Sequence, residues 1–513
     1  MASSPVELLR SAAEDAPDLP ALRFGNFEIT YRDYARAAAA LAEKLVALQS
    51  DPPSPIVICL PNSIEIALFI FAAQATGAAV CTLNPGYTRR ELKIVLDDAQ
   101  PGVIVCAHEK AADIEAISPP SQSRPHLWAL ERGELDGRAF VAELLAEWER
   151  SRPELPIPSA ETIGALLYTG GTSGRPKGVL LKNGAIAANV EQRERMLPTE
   201  KDSERILCVM PLFHTFAISM CLHLAARCRG LLVIMPRYRP DWVLEALENH
   251  RITRLPAGPT VFNGLLGFDG VDRFDFSHLK CAYSGSAPLP KSTLNAWAEL
   301  TGAALYEGYG QTEAGPILSY NSPAAPIRAG SVGKAAPHTQ IEIVDALDPD
   351  RILPVGQIGE IRARGPQIMS GYLNAPDATA EALRGGWLYT GDLGRLDEEG
   401  YLFIEDRKKD MAIVGGYNVY PREIDEVLSA HPAVAEAAVV GVSDAYRGEI
   451  LAAHVVLRAG SDASEDDLRA HCQKQLVKYK VPAVLRILED LPRTSVGKID
   501  KKELRARAEG SRS

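Results

Sequence analysis

The stretch from residue 56 to residue 84 constrains the fold of this chain more than any other part of its sequence. It contains the apolar runs IVICL and VCTLN on either side of the long run IEIALFIFAAQATGAAV. Two β-branched runs flanking an apolar helical segment predict a strand, a buried helix and a second strand. Glu65, Gln74 and Gly77 interrupt the middle run, which is too short for a membrane span. We therefore expect a buried βαβ unit.

The same alternation of β-branched runs and helical patterns continues to about residue 400. It predicts layered α/β structure with largely parallel sheets. After Gly330 the segments QIEIVD, GEIRARG and YLFIED are short, alternate in polarity and are bounded by turn residues, so they predict a small antiparallel β unit. We expect all of this to belong to one large N-terminal α/β domain.

The last hundred residues predict a separate, compact α+β domain. PREIDEVLSA predicts a helix with Pro421 at its start, and SEDDLRAHCQKQL predicts another that is capped by Ser464. AVAEAAVVGV, ILAAHVVL and VLRIL predict strands. The charged segment DRKKD lies between the two patterns, and we place the boundary there, with an N-terminal domain over 1–408 and a C-terminal domain over 409–513.

Composition and charge exclude several classes of partner. The 513 residues include 55 Lys and Arg against 66 Asp and Glu, a net charge of −11, which argues against nonspecific binding to nucleic acids or acidic membranes. Eight scattered cysteines show no zinc-ligand spacing and indicate a reducing compartment. The N-terminus is polar and acidic, without the pattern of a signal peptide. We expect a cytoplasmic protein with no stable membrane insertion.

The segment YTGGTSGRPKG, Tyr168 to Gly178, carries the strongest chemical signal. Its glycines, hydroxyl side chains and lysine lie between two apolar stretches, an arrangement that suits a bound phosphate. It is not a Walker A loop, because Lys177 is followed by glycine rather than by serine or threonine, and it lacks GxGxxG. Taken alone, it could equally be an ordinary flexible glycine loop.

Four further segments follow this loop in order: GYGQTEAG at 308–315, YTGD at 389–392, DRKKDMAIVGGYNVYPREID at 406–425 and PRTSVGKI at 492–499. Together the five segments resemble the adenylate-forming superfamily of acyl- and aryl-CoA synthetases, peptide-synthetase adenylation domains and firefly luciferase. The texture is closest to bacterial fatty acyl-CoA synthetases. The resemblance implies a ligase that joins a carboxylate to the α-phosphate of ATP, releases pyrophosphate and then transfers the acyl group to the thiol of CoA.

The resemblance also implies roles for the matching residues. Asp392 would accept from the ribose hydroxyls, Tyr309 would stack on adenine, and Glu313 would bind Mg²⁺, which prefers oxygen ligands. The residues implied in ATP and AMP binding are Thr169, Gly170, Gly171, Thr172, Ser173, Gly174, Lys177, Ser286, Ala287, Pro288, Glu307, Gly308, Tyr309, Gly310, Gln311, Thr312, Asp392, Arg407 and Lys498.

The resemblance implies that two half-reactions share one mobile C-terminal domain. Lys498 would bridge the substrate carboxylate and the α-phosphate during adenylation, a task that suits a compact ammonium on a long stem. The domain would then rotate about Lys409, so that Gly415 and Gly416 approach the acyl-adenylate and leave room for the thiol arm of CoA. The residues implied in catalysis are Lys498, His214, Glu313 and Lys409.

The acyl acid is less well defined by the sequence. The implied pocket offers no Arg or Lys for a second carboxylate and no Asp for an amino group, which favours an apolar monocarboxylic acid. We favour a medium- or long-chain fatty acid; an aryl-CoA ligase of the coumarate or benzoate type and an acyl-carrier-protein ligase remain alternatives, in a monomer or a homodimer. The residues implied in the pocket are His214, Phe216, Gly285, Gly310, Pro316 and Ile317.

Overall fold

A computed structural model describes residues 2–49, 52–118, 125–131, 137–169, 176–414, 417–444, 447–494 and 498–510. The chain forms two compact units. The first consists of Met1–Ile341 and Ala363–Tyr389, and the second of Glu342–Arg362 and Thr390–Ser513. The predicted combination of a large N-terminal α/β domain and a smaller C-terminal domain is confirmed. The predicted boundary between residues 408 and 409 is where we expect the C-terminal domain to pivot, and it stays a prediction.

The strands of the first unit and of the small sheet that follows it in the chain extend to residue 407, and helices separate most of them up to residue 310. In chain order they are β1 (Pro20–Phe24), β2 (Phe27–Thr30), β3 (Ile56–Cys59), β4 (Val80–Thr82), β5 (Val103–Ala107), β6 (His126–Leu130), β7 (Ile163–Thr169), β8 (Lys177–Lys182), β9 (Arg205–Cys208), β10 (Leu231–Ile234), β11 (Arg254–Ala257), β12 (Cys281–Ser284), β13 (Ala304–Gly310), β14 (Ile317–Tyr320), β15 (Lys334–Ala335), β16 (Gln340–Val344), β17 (Gly359–Arg364), β18 (Gly371–Tyr372), β19 (Leu383–Arg384), β20 (Trp387–Leu396) and β21 (Leu402–Arg407).

The helices between these strands include short ones of a single turn. They are α1 (Pro5–Asp15), α2 (Tyr31–Ala47), α3 (Ile64–Ala75), α4 (Arg89–Ala99), α5 (His108–Ile117), α6 (Arg138–Ser151), α7 (Asn183–Met196), α8 (Thr215–Ala217), α9 (Leu224–Cys228), α10 (Pro240–Asn249), α11 (Pro259–Leu266), α12 (Lys291–Thr301) and α13 (Pro376–Ala382). A π-helical turn, Ile218–His223, joins α8 to α9, and Thr312–Ala314 forms a 3₁₀ turn.

A seven-stranded sheet contains the predicted βαβ unit. Its order is β18-β8-β7-β4-β3-β5-β6, and β3 pairs in parallel with both β4 and β5. The prediction for residues 56–84 is thus confirmed. Every residue of α3 is buried, and Ser63 caps its start by accepting from the backbone N–H of Ile66 at 3.3 Å. A helix that is apolar on all sides is stable only when it is covered on all sides.

A nine-stranded sheet lies in the same unit, in the order β15-β14-β13-β12-β11-β9-β10-β1-β2. Its central strands run parallel, so β11, β12 and β13 end at the same edge. Beyond β13 the direction reverses, because β14 pairs with it antiparallel. Carboxyl ends of parallel strands are where open α/β sheets bind their ligands, and the predicted nucleotide-binding segments follow β12 and β13.

The small sheet predicted after Gly330 has the order β16-β17-β20-β19, with β21 paired to β20. The β19–β20 and β20–β21 pairs are antiparallel, as expected. The rest of the second unit consists of β22 (Ala412–Val414), β23 (Tyr417–Val419), α14 (Pro421–Ser429), β24 (Val434–Asp444), β25 (Gly448–Leu457), α15 (Glu465–Gln475), β26 (Val484–Leu488) and α16 (Lys501–Gly510).

The second unit confirms the α+β prediction in detail. Ser464 caps α15 in a reciprocal arrangement with Asp467, and β24, β25 and β26 form the predicted sheet. Buried side chains such as Val439, Leu451 and Leu468 give this unit a core of its own. No helix among the described residues combines the length and apolar character needed to cross a membrane.

Candidate active site

The glycine-rich loop closes an antiparallel hairpin. Strands β7 and β8 pair in a register that sets Thr169 opposite Lys177, so the two ends of the loop are adjacent. A hairpin of this kind fixes where the loop starts and ends, whatever its own conformation. The predicted nucleotide-binding residues inside the loop lie outside the described residues: Gly170, Gly171, Thr172, Ser173 and Gly174.

A carboxylate lies beside the base of this hairpin. Glu313 sits in the 3₁₀ turn after β13, and its Oε1 lies 3.5 Å from Thr169 Oγ1. Tyr372, on the short strand that pairs with β8, donates from its hydroxyl to the same oxygen at 3.0 Å. Lys177 Nζ lies 5.1 Å from the centre of the Tyr372 ring, within the range of a cation–π interaction. We call Thr169, Lys177, Glu313 and Tyr372 the Glu313 cluster.

Tyr372 is a site residue that the sequence analysis missed. Its hydroxyl pKa is raised well above the usual value, first by burial and then by the Glu313 carboxylate, so it stays a donor. The segment that carries it, SGYLN, has neither a helical period nor a long alternating pattern. Its only local signal is Gly371, whose φ of +145° is a backbone conformation that glycine adopts far more readily than other residues.

The segments predicted to flank adenine lie at the ends of neighbouring strands. β12 ends at Ser284, opposite Glu307 of β13. Glu307 Oε1 accepts from the backbone N–H of Leu289 at 2.9 Å and so ties the SGSAPLP segment to β13. Ser286 has a φ of +69°, which is uncommon for a residue other than glycine and is found disproportionately at functional sites. The placement of Ala287 and Pro288 follows from this tie.

Beyond β13, Gln311 has a buried Nε2 with no partner among the described residues. Tyr309 and Gly308 lie on the strand itself, and Thr312 opens the 3₁₀ turn. An unpaired buried donor at this edge is available to an acceptor on a ligand.

The structure brings the predicted acyl-pocket residues together in two groups. A Cβ on Gly285 would lie 2.9 Å from Phe216 Cε2, so the ring packs against the glycine. A Cβ on Gly310 would lie 1.8 Å from the carbonyl oxygen of Pro316, and Gly310 pairs with Ile317. No other residue fits at Gly310, because backbone atoms fill the space of a side chain.

His214 caps the helix that forms one side of this region. Its Nδ1 accepts from the backbone N–H of Phe216 at 3.2 Å, and the backbone N–H of His214 donates to the carbonyl of Pro211 at 2.9 Å. The side chain is therefore held in one orientation at the start of α8. With Nδ1 accepting, the neutral ring carries its proton on Nε2.

In the second unit, the predicted ribose ligands face each other across two strands. Asp392 on β20 pairs with Arg407 on β21, and Arg407 Nε lies 3.6 Å from Asp392 Oδ1. Two further cations, Lys409 and Lys498, feel the charges of both. We call these four residues the Arg407 cluster.

Among the cations of this cluster, Lys498 has the pKa that is shifted furthest from its usual value. Burial and then the charge of Arg407 lower its pKa to about 8, against the opposing influence of Asp392. Burial also lowers the pKa of Lys409, again with Arg407 as the next cause. The backbone of Lys498 is fixed by Thr494, whose N–H donates to the Lys498 carbonyl at 2.7 Å. Gly415 and Gly416 lie outside the described residues.

The described residues contain no group of three or more His, Cys, Asp or Glu side chains placed to hold a metal by itself. Mg²⁺ does not require one, because it binds through one or two carboxylates together with water and substrate phosphates. Glu313 lies beside Thr169, where β7 ends and the glycine-rich loop to Lys177 begins. This position fits a site that combines one carboxylate with substrate phosphates.

Comparisons with known proteins show the family of this chain. A family model described as "AMP-binding enzyme" matches residues 9–373, which is more than half of the chain. The chain belongs to the AMP-binding enzyme family. A second model, "AMP-binding enzyme C-terminal domain", matches residues 423–498, from α14 to Lys498.

Relatives of this AMP-binding enzyme are named as CoA ligases. A long-chain-fatty-acid–CoA ligase of Bacillus subtilis (strain 168) is 34% identical over 97% of this chain and 93% of its own length. The 4-coumarate–CoA ligase 5 of Oryza sativa subsp. japonica is also 34% identical, over 95% of this chain and 89% of its own. The ATP-bound crystal structure of MatB from Rhodopseudomonas palustris matches with a TM-score of 0.89 and 30% identity, covering 100% of both chains.

The predicted superfamily and the class of acid–thiol ligase are confirmed by these matches. The chain is a member of the ATP-dependent CoA ligases, in which fatty-acid and aryl-acid enzymes are similarly close relatives.

Proposed function

We propose that this enzyme adenylates an apolar carboxylic acid, preferably a medium- or long-chain fatty acid, and then forms its CoA thioester. In the first step a carboxylate oxygen bonds to the α-phosphorus of ATP and the bond to pyrophosphate breaks. In the second, the thiol of CoA attacks the acyl carbon and AMP leaves. The observation that carries this proposal is the Glu313 cluster. There the Glu313 carboxylate lies beside Thr169 at one end of the glycine-rich loop, and Tyr372, its hydrogen-bond donor, lies beneath Lys177 at the other end.

Each cluster has a separate task in this scheme. Thr169 and Lys177 orient the β- and γ-phosphates, and Glu313 would hold Mg²⁺, which neutralises phosphate charge when it is bound. Asp392 and Arg407 orient the ribose. Such chemistry depends mainly on positioning and on stabilising developing charge, with little need for proton transfer by side chains.

Lys498 supplies positive charge where the carboxylate meets the α-phosphate. With a pKa of about 8, its ammonium is mostly protonated at neutral pH. It is also poorly solvated, and charges act more strongly where water is excluded. The carboxylate and the α-phosphate are both anionic and repel one another as they approach, and a desolvated cation between them lowers that barrier.

The preference for a fatty acid is supported by the apolar surroundings of the predicted pocket. Phe216 and Ile317 are buried, and neither Gly285 nor Gly310 contributes a side chain. Because fatty-acid and coumarate ligases are equally similar to this chain, their names do not choose between the two acids.

The deciding experiment is carboxylate-dependent pyrophosphate release, measured with and without CoA, on acetate, hexanoate, decanoate, palmitate, benzoate and coumarate. An optimum among the straight chains supports the fatty-acid assignment and gives the length of the pocket. An optimum on coumarate or benzoate replaces it with the aryl-CoA ligase. Consumption of CoA separates both from a ligase that acts only on a carrier protein.

The proposal also includes rotation of a C-terminal domain about Lys409 between the two steps. Proline fixes its own φ and restricts the preceding residue, so Lys409→Pro should hinder the rotation. We expect pyrophosphate release from the acid and ATP to persist, while thioester formation from a premade acyl-adenylate falls at least about tenfold. The control is Lys409→Ala, which removes the side chain but leaves the backbone free to rotate. If both half-reactions fall together in Lys409→Pro, a pivot at this residue is wrong.

A further inference from the structure

A small cavity lies in the first unit, between α3, the β7–β8 hairpin and the π-helical turn at 218–223. Apolar side chains such as Ile70, Leu167 and Leu181 form most of its wall. Its volume is about 20 Å³, measured as the space open to the centre of a water molecule. A space of that size accommodates one small polar group, since a single water requires about 10–15 Å³ on the same measure.

Four polar side chains line this otherwise apolar cavity: Gln74, Thr215, Ser219 and His223. Three of them contain polar atoms without a partner among the described residues. Gln74, Ser219 and His223 are 2%, 3% and 1% exposed. Among the described residues, Gln74 Oε1, Ser219 Oγ and both ring nitrogens of His223 have no hydrogen-bond partner. Buried polar atoms are nearly always paired, so several unpaired ones at one cavity indicate a missing partner rather than chance.

The unpaired atoms offer a defined set of hydrogen bonds. Burial lowers the pKa of His223 to about 3, so the ring is neutral and presents one donor and one acceptor. The Ser219 hydroxyl can donate or accept, and Gln74 Oε1 accepts. No charge is present in this set, which therefore suits a neutral hydroxyl or carbonyl group.

The backbone around two of these residues is also unusual. Ser219 and His223 both lie in the π-helical turn between α8 and α9, four residues apart. Single π turns are rare and occur frequently at functional sites, because the extra residue changes which side chains face inward. Gln74 lies on α3, where it interrupts an otherwise apolar sequence.

The cavity adjoins the residues assigned to the acyl acid. Thr215 and Gly315 line it, and they directly follow His214 and precede Pro316 in the chain. We propose that the cavity binds a hydroxyl or carbonyl oxygen on the chain of the acyl acid, so that the substrate is an oxygenated carboxylic acid rather than a plain alkanoic acid. This proposal rests on the proposed acyl-CoA ligase activity and specifies its substrate.

Such a site distinguishes between acids by whether the bound acid gives the buried polar atoms a hydrogen-bond partner. An alkanoic acid would bury the same three side chains without giving them a partner, whereas the oxygenated acid would satisfy them. We expect kcat/KM to be at least about tenfold higher for the oxygenated acid of a matched pair.

The experiment measures acid-dependent pyrophosphate release with paired acids of six to twelve carbons. Each alkanoic acid is compared with hydroxy and keto acids of the same length, with the oxygen at successive positions. The variants are Gln74→Leu, Ser219→Ala and His223→Phe, which remove the polar atoms and keep side-chain bulk. His454→Phe is the matched control, because His454 is also a buried histidine with an unpaired Nδ1 among the described residues, but lies in the second unit.

The proposal is supported if one oxygenated acid is preferred about tenfold or more, and if the cavity variants abolish that preference while still activating the alkanoic acid. His454→Phe should keep the preference. If no oxygenated acid is preferred, or if the preference survives all three variants, the cavity holds an internal water and the proposal is wrong. If no acid causes pyrophosphate release, the ligase function itself is wrong. The preference between paired acids tests only the cavity, so the two failures are distinguishable.

Discussion

The Glu313 cluster and the Arg407 cluster each contain one charged side chain that is central to the proposed reaction, Glu313 and Lys498 respectively. The two clusters hold these side chains in different ways. The Glu313 carboxylate accepts a hydrogen bond from Tyr372 and adjoins Thr169, so its neighbours fix its position. Lys498 lies among charges of both signs, and burial with Arg407 outweighs Asp392 in lowering its pKa. One cluster fixes its carboxylate by a hydrogen bond, and the other leaves its ammonium easily deprotonated.

This difference matches what the two charges have to do in the proposed reaction. A group that holds a metal and its phosphates must keep its charge and geometry throughout. A cation that acts in only one half-reaction benefits from being poorly solvated, because it then interacts more strongly with the reacting anions. The comparison thus predicts that Glu313 variants affect nucleotide binding, whereas Lys498 variants affect one chemical step.

The largest effect is expected for Lys498→Ala. Loss of the cation should lower adenylation by about 100- to 1000-fold, while a premade acyl-adenylate is still converted to the thioester. The measurement is pyrophosphate release for the first step and thioester formation from the adenylate for the second. Lys502→Ala, which removes an exposed lysine on α16, is the control. Equal loss of both half-reactions would show that Lys498 has no step-specific role.

Glu313→Gln tests the other cluster and should lower adenylation by roughly 100-fold. The amide keeps the shape of the side chain but removes the negative charge. We expect the KM for MgATP to rise together with the loss of rate, and excess Mg²⁺ to restore part of the activity. A variant with unchanged KM at every Mg²⁺ concentration would argue that Glu313 does not hold the metal.

The pH dependence of the first step should follow Lys498. Because its folded pKa is about 8, the charged form predominates below pH 8 and is lost as pH rises. Adenylation should therefore fall roughly tenfold between pH 7 and pH 9, and the second half-reaction should not share this fall. Lys498→Arg keeps its proton throughout this range, so it should remove the descending limb even if its rate at pH 7 is lower. A limb that persists in the arginine variant belongs to another group.

The fold and most of the candidate site could be predicted from the sequence because their signals lie within short segments of the chain. The βαβ unit, the capped helix after Ser464 and the glycine-rich loop between Thr169 and Lys177 each depend on patterns within about 20 residues. The antiparallel pairing of β7 and β8 around that loop was not predicted. Tyr372 could not be found in this way, because it reaches Glu313 only through pairing of β18 with β8, almost 200 residues earlier in the chain.

The polar cavity was even harder to predict from the sequence than Tyr372. Gln74 was visible as an interruption in an apolar helix, but Ser219 and His223 looked like ordinary members of an apolar helical stretch. Their convergence depends on the packing of α3 against the π-helical turn, which no local period encodes. Sequence patterns predict elements and motifs well, whereas contacts between distant elements require the folded structure.

The smallest effect, and the sharpest test of how Glu313 is held, is expected for Tyr372→Phe. Removing the hydroxyl deletes the 3.0 Å hydrogen bond to Oε1 but leaves the carboxylate and the ring beneath Lys177 in place. We expect the KM for MgATP to rise about three- to tenfold with little change in kcat, since a hydrogen bond to a charged group contributes modestly once water can replace it.

Tyr168→Phe is the matched control for this last prediction. Tyr168 lies on β7 next to Thr169, but its hydroxyl donates to Asp98 Oδ2 at 2.6 Å rather than to Glu313. Its loss should lower thermal stability and leave the KM for MgATP unchanged. If both variants raise that KM equally, the tyrosines support the hairpin as a whole, and the specific fixing of Glu313 by Tyr372 is wrong. If only Tyr372→Phe raises it, a single distant hydroxyl sets the position of the Glu313 carboxylate, and the contrast with the easily lost charge of Lys498 holds.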